Sequence, residues 1–390
     1  MNVDITRVNK ESYNEEEINS LIDEQIKKPY ILLCGQTGVG KSSLINRVFG
    51  ESLAKVNHAK PETMNFEWYT PKDKNICLCD SRGYEIGRED EYFEALLNFV
   101  HKGHVDLAWY CISVKISRFT YMDKKIIDEL TNLEIPVIIV LTNIDGCDPE
   151  DLSNLKSDIS KGCVNTDLFQ VYSGDDENII MRYKEHDEIK QLIERSINII
   201  PDEKLKAGFV SALDDKNGLE QKCSYIRRKI IPTYAGVAIV TGATPIPFSD
   251  AIVLVPLQAA MSVHIIKIFG MTNATSIAKT LISFLGLEVM GKWSAKFLFS
   301  SLIKFIPSVG TVTGSVINAS VAGTFTGALG YTVCEICYRY SNAKDGGVVM
   351  TLKDFLTNNT ELFNIADLFK QFAENENVKK LGVEDIKKLK

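Results

Sequence analysis

The sequence predicts an α/β domain built on a mostly parallel sheet, followed by an all-α domain of unusually apolar helices. Three observations carry this expectation. From residue 28 to about 231, short apolar runs rich in strand-forming residues alternate with segments of helical periodicity. The strand runs are almost continuously apolar, as strands covered on both faces must be, and this is the habit of parallel sheets. Beyond them the charge thins abruptly. Residues 230–344 carry ten charged side chains netting +4, while the rest of the chain nets −11.

Residues 1–27 read as a lead-in with one surface helix, since Ile18, Leu21, Ile22 and Ile26 recur at helical spacing among acids and lysines. "YILLC" (30–34) is a buried strand that runs into a glycine-rich loop, and a helix follows from Lys41 to about Phe49. "NICLCD" (75–80), "VDLAWYCISV" (105–114) and "PVIIVLTN" (136–143) are further strands. "EYFEALLNFVHK" and "MDKKIIDELTNL" are the helices between them. "AGFVSA" (207–212) reads as a last strand before a helix from about Leu219 to Ile231, which makes residues 150–205 an insertion. Residues 232–344 form the apolar helical domain, and residues 345–390 read as amphipathic helices with a lysine-rich end.

At 390 residues the chain accommodates two or three cores. A net charge of −7 with no long basic run argues against nucleic acid as a partner. Nine scattered cysteines and a start without an apolar signal core favour a reducing, cytoplasmic setting. "CEIC" (334–337) has the spacing of a metal or redox pair, but it stands alone in an apolar helical run and reads as packing cysteines.

"GQTGVGKS" (35–42) fits G-x-x-x-x-G-K-[ST] between a strand and a helix, the context that motif requires. Gly35, Gly38 and Gly40 let successive N–H groups turn toward phosphate oxygens, and the helix starting near Lys41 points its positive end at the same place. Gln36, Thr37, Val39 and Ser43 complete the expected nucleotide-binding loop. Lys41 is expected on the β- and γ-phosphates and the Ser42 hydroxyl on Mg²⁺. Asp80 ends a strand where a carboxylate reaches the same Mg²⁺, which leaves the Gly83 N–H for the γ-phosphate. "TNID" (142–145) resembles the guanine-reading Asn-Lys-x-Asp motif. Asp145 is a paired acceptor for the N1–H and 2-amino group of guanine, and Asn143 stands where lysine is usual. "SAL" (Ser211, Ala212, Leu213) matches the loop whose N–H groups contact the guanine O6.

These motifs, with "GQTGVGKSSLINRVFG" and "VDLAWYCIS…SRFTYMD", resemble the translation-factor-class P-loop GTPases, nearest the Era-like branch. The resemblance covers about residues 28–231. It implies a Ras-like G domain, GTP/GDP and Mg²⁺ as ligands, and GTP hydrolysis. It also implies a switch threonine that joins the Mg²⁺ when GTP is bound; Thr63 in "KPETMNF" is the candidate and Thr70 the weaker one. Where Ras-type enzymes carry a catalytic glutamine this chain has Tyr84. The implied turnover is slow and completed by a protein effector, a second copy through the G domain, or a mobile switch residue. Arg82 and Arg118 are candidate charge donors, with an ion pair to Asp123 the plainer role for Arg118.

Residues 232–344 are similar to the hydrophobic YcjF/EcsC-like domain that follows the G domain in some bacterial GTPases, on the strength of "PIPFSD" and "IPSVGTVTG". That resemblance implies membrane association, peripheral or integral at a cytoplasmic face. Arg227, Arg228 and Lys229, with Lys292, Lys296 and Lys304, suit anionic headgroups. A helical bundle without membrane contact is the other reading. Small residues four apart, such as Ser315, Ala319, Gly323 and Gly327, allow close helix approach in either case. Two further readings stay open for the whole chain: a nucleotide-gated scaffold or oligomer with negligible turnover, and a ribosome-associated Era-like GTPase.

Overall fold

The computed structural model describes residues 15–50, 66–81, 83–116, 118–145, 147–174, 176–242, 250–279, 281, 314–345, 351–358 and 365–375. The chain divides into two compact units, one comprising residues 26–221 and the other residues 1–25 with 222–390.

The first unit is a five-stranded, wholly parallel sheet with helices on both faces. Its strands are β1 (Tyr30–Gly35), β2 (Cys77–Asp80), β3 (Leu107–Ser113), β4 (Val137–Thr142) and β5 (Asp167–Gln170), in the order β2-β1-β3-β4-β5. Registers such as Leu33 with Asp80, Gly35 with Cys111, Ser113 with Thr142 and Leu141 with Gln170 bring all the carboxyl ends to one edge. In such open sheets this edge is where ligands bind, at the point where strand order reverses. Here the reversal flanks β1, the strand that delivers the glycine-rich loop.

Alternation along the strands feeds two cores. Leu32, Cys34, Ala108, Tyr110, Ile139 and Leu141 face α3 (Glu89–Lys102), α4 (Tyr121–Asn132) and α5 (Pro149–Gly162). Ile31, Leu33, Trp109, Cys111, Ile138 and Val140 face α2 (Lys41–Phe49), α7 (Ile189–Ile199) and α8 (Glu203–Ala212). A short α6 (Glu177–Tyr183) follows β5.

Two sequence expectations are corrected here. Residues 207–212 are the end of helix α8, not a strand. Every residue from Ala207 to Ala212 is buried, so helix and strand present the same unbroken apolar run, and periodicity cannot separate them. The space an added Cβ at Gly208 would need is filled by the Lys27 carbonyl, which explains a glycine in mid-helix. The fifth strand lies instead at Asp167–Gln170, within the stretch read as an insertion. Residues 150–205 are thus part of the sheet's framework.

The second unit is helical. It contains α1 (Glu15–Asp23), the end of α9 (Asp215–Tyr225), a π-helical segment (Ile226–Ile230), α10 (Ile231–Gly242), α11 (Asp250–Ile268), α12 (Gly314–Asp345), α13 (Leu352–Asn358) and α14 (Ile365–Glu374). α12 packs closely on α10 at small residues: a Cβ on Gly323 would meet Ile239, and one on Gly330 would meet Ile231 and Met261 of α11. Phe325 and Tyr331 of α12 pack their rings, tilted, against Phe369 and Phe372 of α14. α1 joins this unit through Lys267, whose ammonium bonds Asp23 at 2.7 Å. Cys334 and Cys337 are free, fully buried thiols. Among the described residues no helix is long and apolar enough to cross a membrane. "PIPFSD", "IPSVGTVTG" up to Thr313, and Lys292, Lys296 and Lys304 fall wholly or mainly outside the described residues.

His264 of α11 is wholly buried. Its Nδ1 lies 3.4 Å from the Tyr234 hydroxyl, its Nε2 has no hydrogen-bond partner, and burial pushes its pKa down to about 3. Because the folded pKa lies below the unfolded value near 6.5, the unfolded chain binds the extra proton. Stability is therefore complete above about pH 6.5 and falls by up to about 1.4 kcal/mol per pH unit on acidification toward about pH 3. Denaturant titrations at pH 7 and 5 should show a loss of about 2 kcal/mol from this group, and His264→Gln should remove that part of it.

Candidate functional site

The site begins at the carboxyl end of β1. Gly40, at φ +91°, is the N-cap of α2 and supplies no side-chain cap, so the first amides of the helix stay available to an anion. A Cβ at this glycine would also come within 2.8 Å of the Ser173 hydroxyl. Lys41 opens the helix and is 5% exposed; its ammonium donates to the carbonyls of Gln36 at 3.0 Å and Gly35 at 3.4 Å. Burial lowers its pKa, against the opposing influence of Cys111, Asp80 and Cys34. An ammonium held by two carbonyls in a desolvated position is poised for phosphate.

Ser42, next in the helix, donates its hydroxyl to Asp80 Oδ2 at 2.5 Å across from the end of β2. Two hard oxygen donors this close suit a Mg²⁺ ion. Ser43 is exposed. Thr63 and Arg82 lie outside the described residues. Thr70 pairs with Cys77 at 3.2 Å, at the amino end of β2, on the far side of the sheet from this edge.

The segment after Asp80 folds back on the glycine-rich loop. Gly83 has φ +82°, and an added Cβ would lie 2.6 Å from the Thr37 amide nitrogen, an approach only glycine permits. The Thr37 N–H donates to the Tyr84 carbonyl at 3.0 Å. The Tyr84 ring turns away from the loop and is 3% exposed. Its hydroxyl donates to Asp123 Oδ1 of α4 at 2.6 Å, beside the Tyr110 hydroxyl, which donates to the same oxygen at 2.7 Å. Burial, and then Asp123, push the Tyr84 pKa well up, so it remains a neutral donor. Asp123 Oδ2 closes the capping box of α4 with Thr120. This overturns the expected Arg118–Asp123 ion pair: Arg118 is exposed, and Asp123 is engaged by tyrosines and threonine.

The other half of the site is the end of β4. The Thr142 hydroxyl donates to the Val39 carbonyl, tying this strand to the glycine-rich loop. Asn143, at φ +55°, bridges strand ends: its Nδ2 donates to Ser113 Oγ at 3.1 Å, and its Oδ1 accepts from Ser173 Oγ at 3.2 Å. Asp145 follows, with Oδ2 accepting from Lys115 at 2.8 Å.

Ser211, Ala212 and Leu213 are not brought to this edge. Ser211 is buried beside Asn75, and Lys74 bonds the Ala212 carbonyl at 3.0 Å; both partners precede β2, at the amino ends of the strands. The loop that does reach the site is "VYSG" (171–174) after β5. It is held by buried Arg47 of α2, which donates to the Tyr172 carbonyl and pairs with Asp187. Its sequence signal was a serine–glycine pair about thirty residues past Asn143, following a short, half-exposed strand.

A parallel sheet of this order, with a glycine-rich loop after β1, Asp80 at the end of β2 and Asp145 beyond β4, has the architecture of a Ras-like G domain. Comparison with known proteins agrees. The family model "50S ribosome-binding GTPase" matches residues 30–143. The chain is similar to "Probable GTP-binding protein EngB" of Aquifex aeolicus, at 25% identity over 182 residues, covering 44% of this chain and 90% of that protein. It is also similar to "GTPase Era" of Alkaliphilus oremlandii, at 29% identity over 140 residues, covering 35% of this chain and 46% of that protein. The chain thus spans nearly all of that EngB but about half of Era. Among solved structures, Era in complex with MgGDPNP and part of 16S ribosomal RNA matches at 19% identity and a TM-score of 0.34, covering 45% of this chain and 58% of that one. This is a GTP-binding G-domain protein related to Era and EngB, carrying a helical C-terminal region.

Proposed function

We propose that this chain is a Mg²⁺-dependent nucleotide switch that hydrolyses GTP slowly and passes its state to a membrane or protein partner through its helical unit. The observation that carries this reading is the Ser42–Asp80 contact at 2.5 Å beside buried Lys41, at an uncapped helix N-terminus. Lys41 and the loop amides from Gly38 to Ser42 hold the β- and γ-phosphates. Ser42 and Asp80 would hold Mg²⁺, with Thr63 joining them when GTP is present. Bound there, Mg²⁺ offsets charge on the phosphate oxygens. The Gly83 N–H senses the γ-phosphate. Asp145 reads the guanine, and the 173–174 loop takes the place at the base that the sequence suggested for residues 211–213.

Tyr84 is no substitute for a water-orienting glutamine, because its hydroxyl is committed to Asp123. Turnover should be on the order of 10⁻⁴ s⁻¹ or below, the intrinsic rate of a G domain without an added arginine. Single-turnover hydrolysis across a protein concentration series, with and without anionic liposomes, tests the reading. Rates rising with concentration assign the missing group, Arg82 included, to a second copy; rates rising only with lipid assign activation to a membrane. No hydrolysis under any condition replaces the enzyme with a nucleotide-gated scaffold. The description of the matching family also favours a ribosome-bound role, which co-sedimentation with ribosomal subunits would reveal.

The base loop has its own test. Ser173→Ala should weaken GDP binding by roughly 3- to 10-fold, the effect of one lost hydrogen bond in a polar network. Ser211→Ala should leave it within about 2-fold, because that hydroxyl faces the opposite end of the sheet. Equilibrium titration with GDP checks both.

A further inference from the structure

Asp145 owes its side-chain contact to a residue thirty positions earlier. Lys115 sits in the 3-10 turn (Val114–Ile116) that continues β3, and the pairing of Ser113 with Thr142 sets this turn beside the exit of β4. The lysine ammonium thereby reaches Asp145 Oδ2 at 2.8 Å, with the two side chains 52% and 24% exposed. Among the described residues no other cation pairs with Asp145. Position 143, where the motif pattern expects a basic residue, cannot serve. The Asn143 amide is occupied between Ser113 and Ser173, and its left-handed backbone keeps it there.

We infer that Lys115 is a positioning residue of the base site, which fixes the Asp145 carboxylate for the paired N1–H and 2-amino donors of guanine and so sets specificity at the 2-position. This rests on reading the site as a guanine-nucleotide site. An aspartate's terminal torsion is a broad, roughly two-fold rotor, so an unrestrained carboxylate must be ordered when the base arrives. Each carboxylate oxygen has two acceptor positions, so Oδ2 can keep its lysine while it receives a base N–H. The restraint comes from two ends of one rigid sheet, not from neighbours on a loop.

The test uses the full chain and calorimetric titration with GDP and with inosine diphosphate, which lacks the 2-amino group. Lys115→Ala should weaken GDP binding by roughly 3- to 10-fold and shrink the preference for GDP over inosine diphosphate, the size expected of a half-exposed ion pair that orients a hydrogen bond. Lys115→Arg should recover much of that preference. In an Asp145→Asn background, Lys115→Ala should have no further effect on the GDP-to-inosine ratio. Equal weakening of both nucleotides by Lys115→Ala, or an unchanged ratio, overturns the inference, because the lysine then acts on the phosphates or not at all. If the wild-type chain shows no preference for GDP over ADP, the guanine reading itself fails and takes this inference with it.

Discussion

Lys41→Ala should lower single-turnover GTP hydrolysis by roughly 10²- to 10³-fold, the usual consequence of removing one preorganised charge donor from a transition state. The site around Lys41 is arranged for this. Its stem is buried at the start of α2, and its ammonium rests on the Gly35 and Gln36 carbonyls, which release it to the phosphates at little cost in reorganisation. The same geometry predicts what will not happen. A buried ammonium with two neutral acceptors does not hold the fold together; taking it out of water opposes folding. Lys41→Ala should therefore leave thermal stability within about 1 kcal/mol of wild type, or raise it slightly, in the absence of nucleotide. Stopped-flow hydrolysis with a parallel denaturation curve separates the two effects. A variant that loses activity only as it loses stability would make Lys41 a structural residue.

What the sequence revealed about this site depended on how local each signal was. The phosphate loop is a contiguous motif, and Lys41, Ser42 and Asp80 converge where the strand-end argument places them. Asn143 and Asp145 were placed at the end of β4 by the same contiguous signal. The loop at Ser173 was not, because its strand is four residues long and three of them are only half-buried. A completely buried helix at 207–212 presented a stronger apolar run and drew the assignment away. Lys115 and Asp145 meet through strand register, and Tyr84 and Asp123 meet across 39 residues; neither pairing leaves a trace in spacing. In the second unit, Gly323 of the small-residue ridge has a direct geometric reason, since a Cβ there would meet Ile239, whereas Gly330, packed on Ile231 and Met261, stands outside that ridge.

Asp123→Ala should destabilise the G domain by about 3–5 kcal/mol, the range for stripping a buried charged acceptor from its donors. Asp123 is 3% exposed and accepts from the Tyr84 and Tyr110 hydroxyls and from the Thr120 amide and hydroxyl. Alanine removes the acceptor shared by two buried tyrosine hydroxyls, leaving Tyr84 only the Thr120 hydroxyl at 3.4 Å, and removes the capping box of α4. Asp123→Asn keeps one carbonyl oxygen and should cost about half as much. Tyr84→Phe removes a single donor to the carboxylate and should cost about 1.5–3 kcal/mol. Urea titrations of the three variants test the ranking, and a Tyr84→Phe loss equal to that of Asp123→Ala would show that no shared network exists. The functional consequence follows from where Tyr84 stands. Its carbonyl holds the Thr37 amide of the phosphate loop while its hydroxyl holds α4. The segment after Asp80 cannot swing away without breaking the bond to Asp123, and a hydrogen bond to a carboxylate is worth about 1.5–3 kcal/mol. That biases the closed arrangement by roughly 10- to 100-fold. Tyr84→Phe should then leave the chemistry intact and raise the population of the open switch, visible as faster nucleotide release. At the position where related enzymes orient water, this chain has placed an anchor.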